Sequence, residues 1–317
     1  MPRSIPKWLL AATALVLAAA ACNNAPTDGD GLSGTVRIDG SSTVGPLTEV
    51  AAELFMRENP GVRVTVAVSG TSGGFQKFCK GETDGNDASR EIKEEEIEVC
   101  GQNGIGYDNV QVANDALSLV VKTDNPVDCL TTDQVKQIWD VDSSVSTWGD
   151  IEGVDLPDDA KGEAITLYGP GTDSGTFDFF TEAINGEEGR IRTDYTDIGE
   201  DDQAAVTAVQ GDRYAMGYIP YSFVQEAGDA VKPLQIDGGG GCVEATLSNV
   251  QNGSYTPLGR PLFLYASDTA LARPEVVAFF EFYIENQAEI AAAATYVPMN
   301  DDQVAVAQQK VSDLAGA

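Results

Sequence analysis

Apolar residues recur along this chain with two alternating periods. Val62, Val64, Val66 and Val68 occupy every second position, as in a strand with one buried face. Just before them, Leu47, Val50, Ala51, Leu54 and Phe55 fall at the spacing of one helix face, and Pro60-Gly61 ends that helix. The same reading predicts a helix over 132–138, a strand over 165–168, a helix over 176–184 and a strand over 215–219. A long terminal helix is predicted around Val276, Phe280, Tyr283 and Ile284. Strands alternating with helices predict an α/β fold with mainly parallel strands. Residues 34–317 suffice for two domains of ordinary size. No internal repeat is visible, and the one low-complexity stretch, 238–241, reads as a loop.

The first 21 residues read as an export signal: Arg3 and Lys7 precede an apolar run from Trp8 to Ala21 that ends in small residues. That run is short for a membrane span. Cys22 follows Ala19-Ala20-Ala21, where bacterial lipoproteins are cut and acylated, although Ala19 stands where a leucine is usual. Residues 22–33 are polar and rich in Gly, Asp and Asn, as a tether is.

Four cysteines remain beyond Cys22: Cys79, Cys100, Cys129 and Cys242. An even number in an exported chain favours disulfides, and three pairings are open. With no CxxC and no histidine, neither a metal site nor a cofactor is expected. The 19 basic and 50 acidic residues give a net charge of −31, which argues against nucleic acid, whose affinity rests on Lys and Arg. A calcium loop opening at Asp140 and Asp142 fails, because Val145 replaces the required glycine and Ile151 the closing glutamate.

A turn chemistry recurs three times, each time between a strand and a helix. Gly40-Ser41-Ser42-Thr43-Val44 precedes the helix carrying Leu47; Gly70-Thr71-Ser72-Gly73-Gly74 precedes a short helix from Phe75; Asp173-Ser174-Gly175-Thr176 opens the helix through Phe180. Helix N-termini present unpaired N–H groups and a positive dipole end, glycine admits close approach, and hydroxyls add donors. Three such turns point to an oxyanion site. Each also imitates an enzyme motif. GTSGG fits a nucleophile elbow, but that mechanism needs a histidine. Asp173-Ser174-Gly175 occurs once where aspartic proteases need two copies, and GPGTDSG fits neither a dinucleotide fingerprint nor a P-loop. No enzyme is expected.

With GSSTVGPLTE at 40–49, SGTSGGFQKF at 69–78, GETDGNDASREI at 81–92, LYGPGTDSGTFDFF at 167–180, AMGYIPYSF at 215–223 and GRPLFLY at 259–265, the chain resembles the substrate-binding proteins of phosphate ABC importers (PstS-like). The resemblance runs from about Val36 to Val311. It implies a two-lobed periplasmic-binding-protein fold of type II, two α/β lobes joined by two crossover strands with the ligand cleft between them. Lobe 1 would take 34–115 and 258–317, and lobe 2 would take 116–257. Pairing Cys79 with Cys100 and Cys129 with Cys242 then keeps each bridge inside one lobe.

The resemblance further implies inorganic phosphate as ligand, an ABC permease as partner, and membrane contact through the lipid anchor alone. The alternatives are a receptor of the same fold for another oxyanion such as sulfate or molybdate, or an extracytoplasmic adhesion or signalling protein. Carried over by position, Ser42, Thr43 and Val44 would donate from the first turn, Thr71 and Ser72 from the second, and Ser174, Gly175 and Thr176 from the opposite lobe. Two departures stand out. Arg90 occupies a position that is acidic in the best-known branch, and Pro170 and Gly171 stand where that branch has an arginine. Arg90 is therefore expected to supply the charged contact, with Arg192 as a weaker candidate. Monohydrogen phosphate has a proton to give and sulfate none, so a carboxylate acceptor is expected, Asp173 first and Asp201 or Asp202 after it.

Overall fold

The computed structural model describes residues 31–172, 174–199 and 201–315. The chain enters on β1 (Gly34–Gly40), whose Val36 and Ile38 are buried, then forms α1 (Gly45–Glu58), with Leu47, Ala51 and Phe55 inward. Next come β2 (Val62–Val68), α2 (Thr71–Phe78), β3 (Gly85–Ala88) and α3 (Glu94–Gln102). α2 starts at Thr71 rather than Phe75, so the second glycine-rich stretch is its first turn. The acidic run Glu94–Glu96 opens α3, where carboxylates offset the positive end of the helix dipole.

β4 (Tyr107–Val121) is 15 residues long and leads into the second half. There follow β5 (Cys129–Thr131), α4 (Thr132–Trp139), α5 (Asp158–Lys161), β6 (Thr166–Gly169) and α6 (Gly175–Phe180), which continues as a π-helical turn over Thr181–Asn185. β7 (Thr196–Asp197), α7 (Asp202–Gly211), β8 (Ala215–Pro220), α8 (Tyr221–Ala227), β9 (Lys232–Pro233), β10 (Gln235–Asp237), β11 (Cys242–Val243) and α9 (Leu247–Gln251) complete it. The chain returns on β12 (Gly259–Ser267) and ends in α10 (Asp268–Leu271), α11 (Pro274–Glu285), α12 (Gln287–Ala293) and α13 (Asp301–Ala315). Val276, Phe280, Tyr283 and Ile284 are all buried on α11, but two further helices follow it.

The main sheet runs β2-β1-β3-β12-β4-β8-β6-β7, with β9 also on β4. β1 pairs parallel with β2 and β3, and β6 pairs parallel with β7 and β8. The middle is antiparallel, contrary to the mainly parallel expectation: β12 lies between β3 and β4, and β4 pairs with β8. The cause is that the chain crosses out on β4 and back on β12. β4 changes partner from β12 to β8 between Ala116 and Leu117. These halves are the two lobes of a periplasmic-binding fold.

Each half has its own core. In the first, Phe55 meets Phe279 edge-on at 5.4 Å. In the second, Phe180 stacks on Tyr218 at 3.8 Å and Trp139 meets Tyr218 at 5.0 Å. Burying one such ring stabilises by about 1.5–3 kcal/mol, so this stack fixes the helix opened by the third turn. Cys79 is bonded to Cys100 and Cys129 to Cys242, the pairing that keeps each bridge within one half.

Candidate functional site

The first turn is shaped by Gly40, which has φ +150° and whose added Cβ would lie 2.2 Å from the Asp87 carbonyl oxygen, so only glycine fits. The Ser41 amide donates to that carbonyl at 3.0 Å. Ser41 Oγ accepts from the amides of Thr43 (3.1 Å) and Val44 (3.4 Å). The Val44 amide, expected to face a ligand, is thus engaged by the turn itself. Ser42 and Thr43 reach across to the other lobe. Ser42 Oγ donates to Asp178 Oδ2 at 2.9 Å, and Thr43 Oγ1 donates to the Gly175 carbonyl at 3.4 Å.

At the second turn, Thr71 Oγ1 shares a hydrogen bond with Ser89 Oγ at 3.0 Å and accepts from the Ser89 amide. Ser72 Oγ accepts from Arg90 Nη2 at 2.7 Å. Arg90 grips Glu96 with two nitrogens, each at 2.9 Å, and its Nη1 also donates to the Glu91 carbonyl. Burial works against its charge, but hydrogen bonding and charge attraction to Glu96, with Glu182 and Glu188 adding, together raise the guanidinium pKa.

At the third turn, Ser174 caps α6, its Oγ accepting from the Thr176 amide at 3.3 Å. A Cβ on Gly175 would stand 3.2 Å from Thr43 Cα, so the lobes meet backbone to backbone here. Asp173, and Cys22 with the export signal, lie outside the described residues. Asp201 caps α7 through the Ala204 amide, and Arg192 is tied to Asp194 and to the Ile138 and Val145 carbonyls.

A cavity of about 210 Å³ lies between the lobes, lined by Ser42, Thr43, Ser174, Gly175, Thr176 and Asp115, with Asp202 also at its wall. It brings together the first and third turns. Val44, Thr71, Ser72 and Arg90 do not line it; Arg90 lines a neighbouring hollow with Phe179, Glu182 and Arg260.

Two of these residues were not singled out from the sequence, although Arg260 lies within GRPLFLY. Asp115 on β4 and Arg260 on β12 stand opposite each other in the ladder, with Nε to Oδ2 at 3.5 Å. Arg260 Nη2 donates to Thr43 Oγ1 at 3.1 Å, and its guanidinium carbon lies 3.5 Å from the centroid of the Phe179 ring. Burial pushes the Asp115 carboxyl above its usual range, with Arg260 opposing that rise. The one signal in the chain is Asn114-Asp115, a polar pair set between apolar Val112-Ala113 and Ala116-Leu117.

Two lobes, donors from both at a shared cleft, and buried charge at the crossing strands define a solute-binding protein that holds a small polar solute between its halves. A model of the PBP superfamily domain matches residues 25–287. The protein SphX of Synechococcus elongatus is 39% identical over 87% of this chain and 80% of its own length. The phosphate-binding protein PstS of Staphylococcus saprophyticus is 34% identical over 98% of this chain and 96% of its own. A crystal structure described as a possible phosphate binding protein from Planctomyces limnophilus superposes with a TM-score of 0.83 at 40% identity, covering 89% of this chain and 99% of that one. A protein assigned as a phosphate ABC transporter substrate-binding protein of Clostridium perfringens, solved with bound phosphate, gives 0.56 at 29% identity, covering 84% and 100%. The chain belongs to the PstS-like family of substrate-binding proteins within the PBP superfamily.

Proposed function

We propose that this protein captures inorganic phosphate outside the cytoplasm and delivers it to an ABC importer, without catalysing a reaction. The observation that carries the reading is the interlobe cavity lined by Ser42 and Thr43 from one side and Ser174, Gly175 and Thr176 from the other. A tetrahedral oxyanion touching both sets would stabilise the closed form, because its contacts exist only when the lobes meet. The lobes divide at about 115/116 and 257/258, and Cys22 carries the lipid that keeps the receptor near its permease. Among the described residues no helix is long and apolar enough to cross a membrane.

Arg260, bonded to Thr43, supplies positive charge at the cavity, and Arg90 adds a second guanidinium beside it. Asp115 is the carboxylate that accepts the phosphate proton, with Asp202, which also lines the cavity, as the second candidate. Calorimetric titration of the phosphate-stripped protein tests this reading. Tight one-to-one phosphate binding undisturbed by excess sulfate is expected, and no phosphate binding from a folded protein overturns the reading. Asp115→Asn should lower phosphate affinity at least tenfold and let sulfate compete, since the anion with no proton then loses its repulsive partner.

A further inference from the structure

The contacts closing the cleft include a set in which the solute takes no part. The helical segment from Gly175 through Asn185 belongs to the second lobe, where Phe177, Phe179 and Phe180 anchor it in the core. From that segment Asp178 and Glu182, four residues apart, face the first lobe. Asp178 accepts from Ser42 at 2.9 Å. Glu182 lies between two guanidinia, with Oε2 3.5 Å from Arg260 Nη1 and Oε1 4.0 Å from Arg90 Nε. Phe179, between them in sequence, lies under the Arg260 guanidinium. Glu188 feels the same charges: burial, then Glu182 and Asp178, raise its carboxyl pKa, while Arg260 and Arg90 oppose the rise.

Asp178 and Glu182 do not line the phosphate cavity, so neither is placed to accept a phosphate proton as Asp115 is. Here each carboxylate has its partner in the opposite lobe. Their effect is to raise the closed fraction before any solute arrives, and apparent affinity scales with the fraction of binding-competent protein.

We propose that Asp178 and Glu182 form an interlobe latch, acting through Ser42, Arg90 and Arg260 as positioning residues that set how long a captured phosphate is retained. This rests on the phosphate reading above for its affinity arm and on the lobe contacts alone for its conformational arm. Partly desolvated ion pairs act on dissociation, whereas exposed charges act on association.

The test uses the purified full chain, stripped of phosphate, as wild type, Glu182→Gln, Glu182→Asp and Asp178→Ala. Phosphate affinity is read by calorimetry, dissociation by a radiolabelled-phosphate chase, and closure without phosphate by the radius of gyration in small-angle scattering. Glu182→Gln and Asp178→Ala should each weaken phosphate roughly tenfold, almost wholly through faster dissociation, and should expand the solute-free protein. Glu182→Asp, which keeps the charge, should recover part of both effects. Affinity within twofold of wild type, or tighter binding through faster association as expected of simple repulsion, overturns the latch. Wild type that binds no phosphate defeats the phosphate reading alone, because the scattering comparison still decides whether Glu182 and Asp178 hold the lobes together.

Discussion

Asp87 shows how one buried residue carries a pH dependence of its own. It is fully buried on β3, donates nothing to solvent, accepts from Thr48 at 2.7 Å, and lies beneath the first turn, whose Ser41 amide its carbonyl holds. Burial pushes its carboxyl up to about 8, with Asp39 and Glu49 adding to the rise. The folded pKa lies above the unfolded one, so the folded state holds a proton the unfolded state has lost. Its stabilising share is complete below about pH 4, declines by about 1.4 kcal/mol per pH unit toward pH 8, and is absent above that. Asp87→Asn should therefore flatten the stability profile between pH 4 and 8 and raise the melting temperature most at pH 8. Chemical denaturation across that range checks it; a wild-type profile with no slope there would contradict the assignment. Arg90 gives the second lesson at this scale. Its identity marked it as the site's cation, yet Glu96, six residues on, holds it bidentately. A guanidinium in a strongly acidic chain finds a carboxylate nearby, and no residue spacing says which anion it will prefer.

Among the elements, β2 and α1 announce themselves through one wet face, whereas β8, read as a strand over 215–219, is buried on both. β2 runs over the alternating valines, and α1 buries Leu47, Ala51 and Phe55 from the predicted stripe. β3, Gly85–Ala88, was illegible because a four-residue strand buried on both faces and containing Asn86 and Asp87 carries neither period. The same limit hid Asp115 and Arg260: they are ladder neighbours on β4 and β12, brought together by a crossing that no local pattern encodes. Turn chemistry was legible at the first and third turns because glycine and hydroxyl caps are local devices. Ser174 at the start of α6 is such a cap, and Ser174→Ala should cost about 1 kcal/mol of stability by freeing the Thr176 amide from its partner. It should also weaken phosphate binding by removing a hydroxyl donor from the cavity wall. Thermal melts with and without phosphate separate the two losses; equal shifts in both would mean the cap is structural only.

For the whole molecule, charge is the governing property. A net of −31 spread over 317 residues loads the folded state with self-repulsion. Salt shortens the reach of that repulsion from roughly 10 Å at 0.1 M to about 3 Å at 1 M. Raising KCl from 0.1 to 1 M should lift the melting temperature of the phosphate-free protein by roughly 3–6 °C, equivalent to one or two kcal/mol. A fall on adding salt would mean that ion pairs such as Arg190 with Asp140, rather than repulsion, dominate.

The place of β12 in the sheet also fixes the order in which a growing chain can finish itself. The strand that fills the space between β3 and β4 is drawn from Gly259–Ser267, and the helices covering the first core come later still. The second lobe, held entirely between β4 and β12, has all its parts first. A chain emerging N-terminus first therefore completes its middle before its beginning. Until then the opening segment is an unfilled sheet whose α2 and α3 are joined by the bridge between Cys79 and Cys100, 21 residues apart, and by Arg90 between Ser72 and Glu96. That bridge, once formed outside the cytoplasm, holds a place for a strand that arrives later, and a chain cut short before residue 259 would have one finished lobe and one sheet with a missing stave.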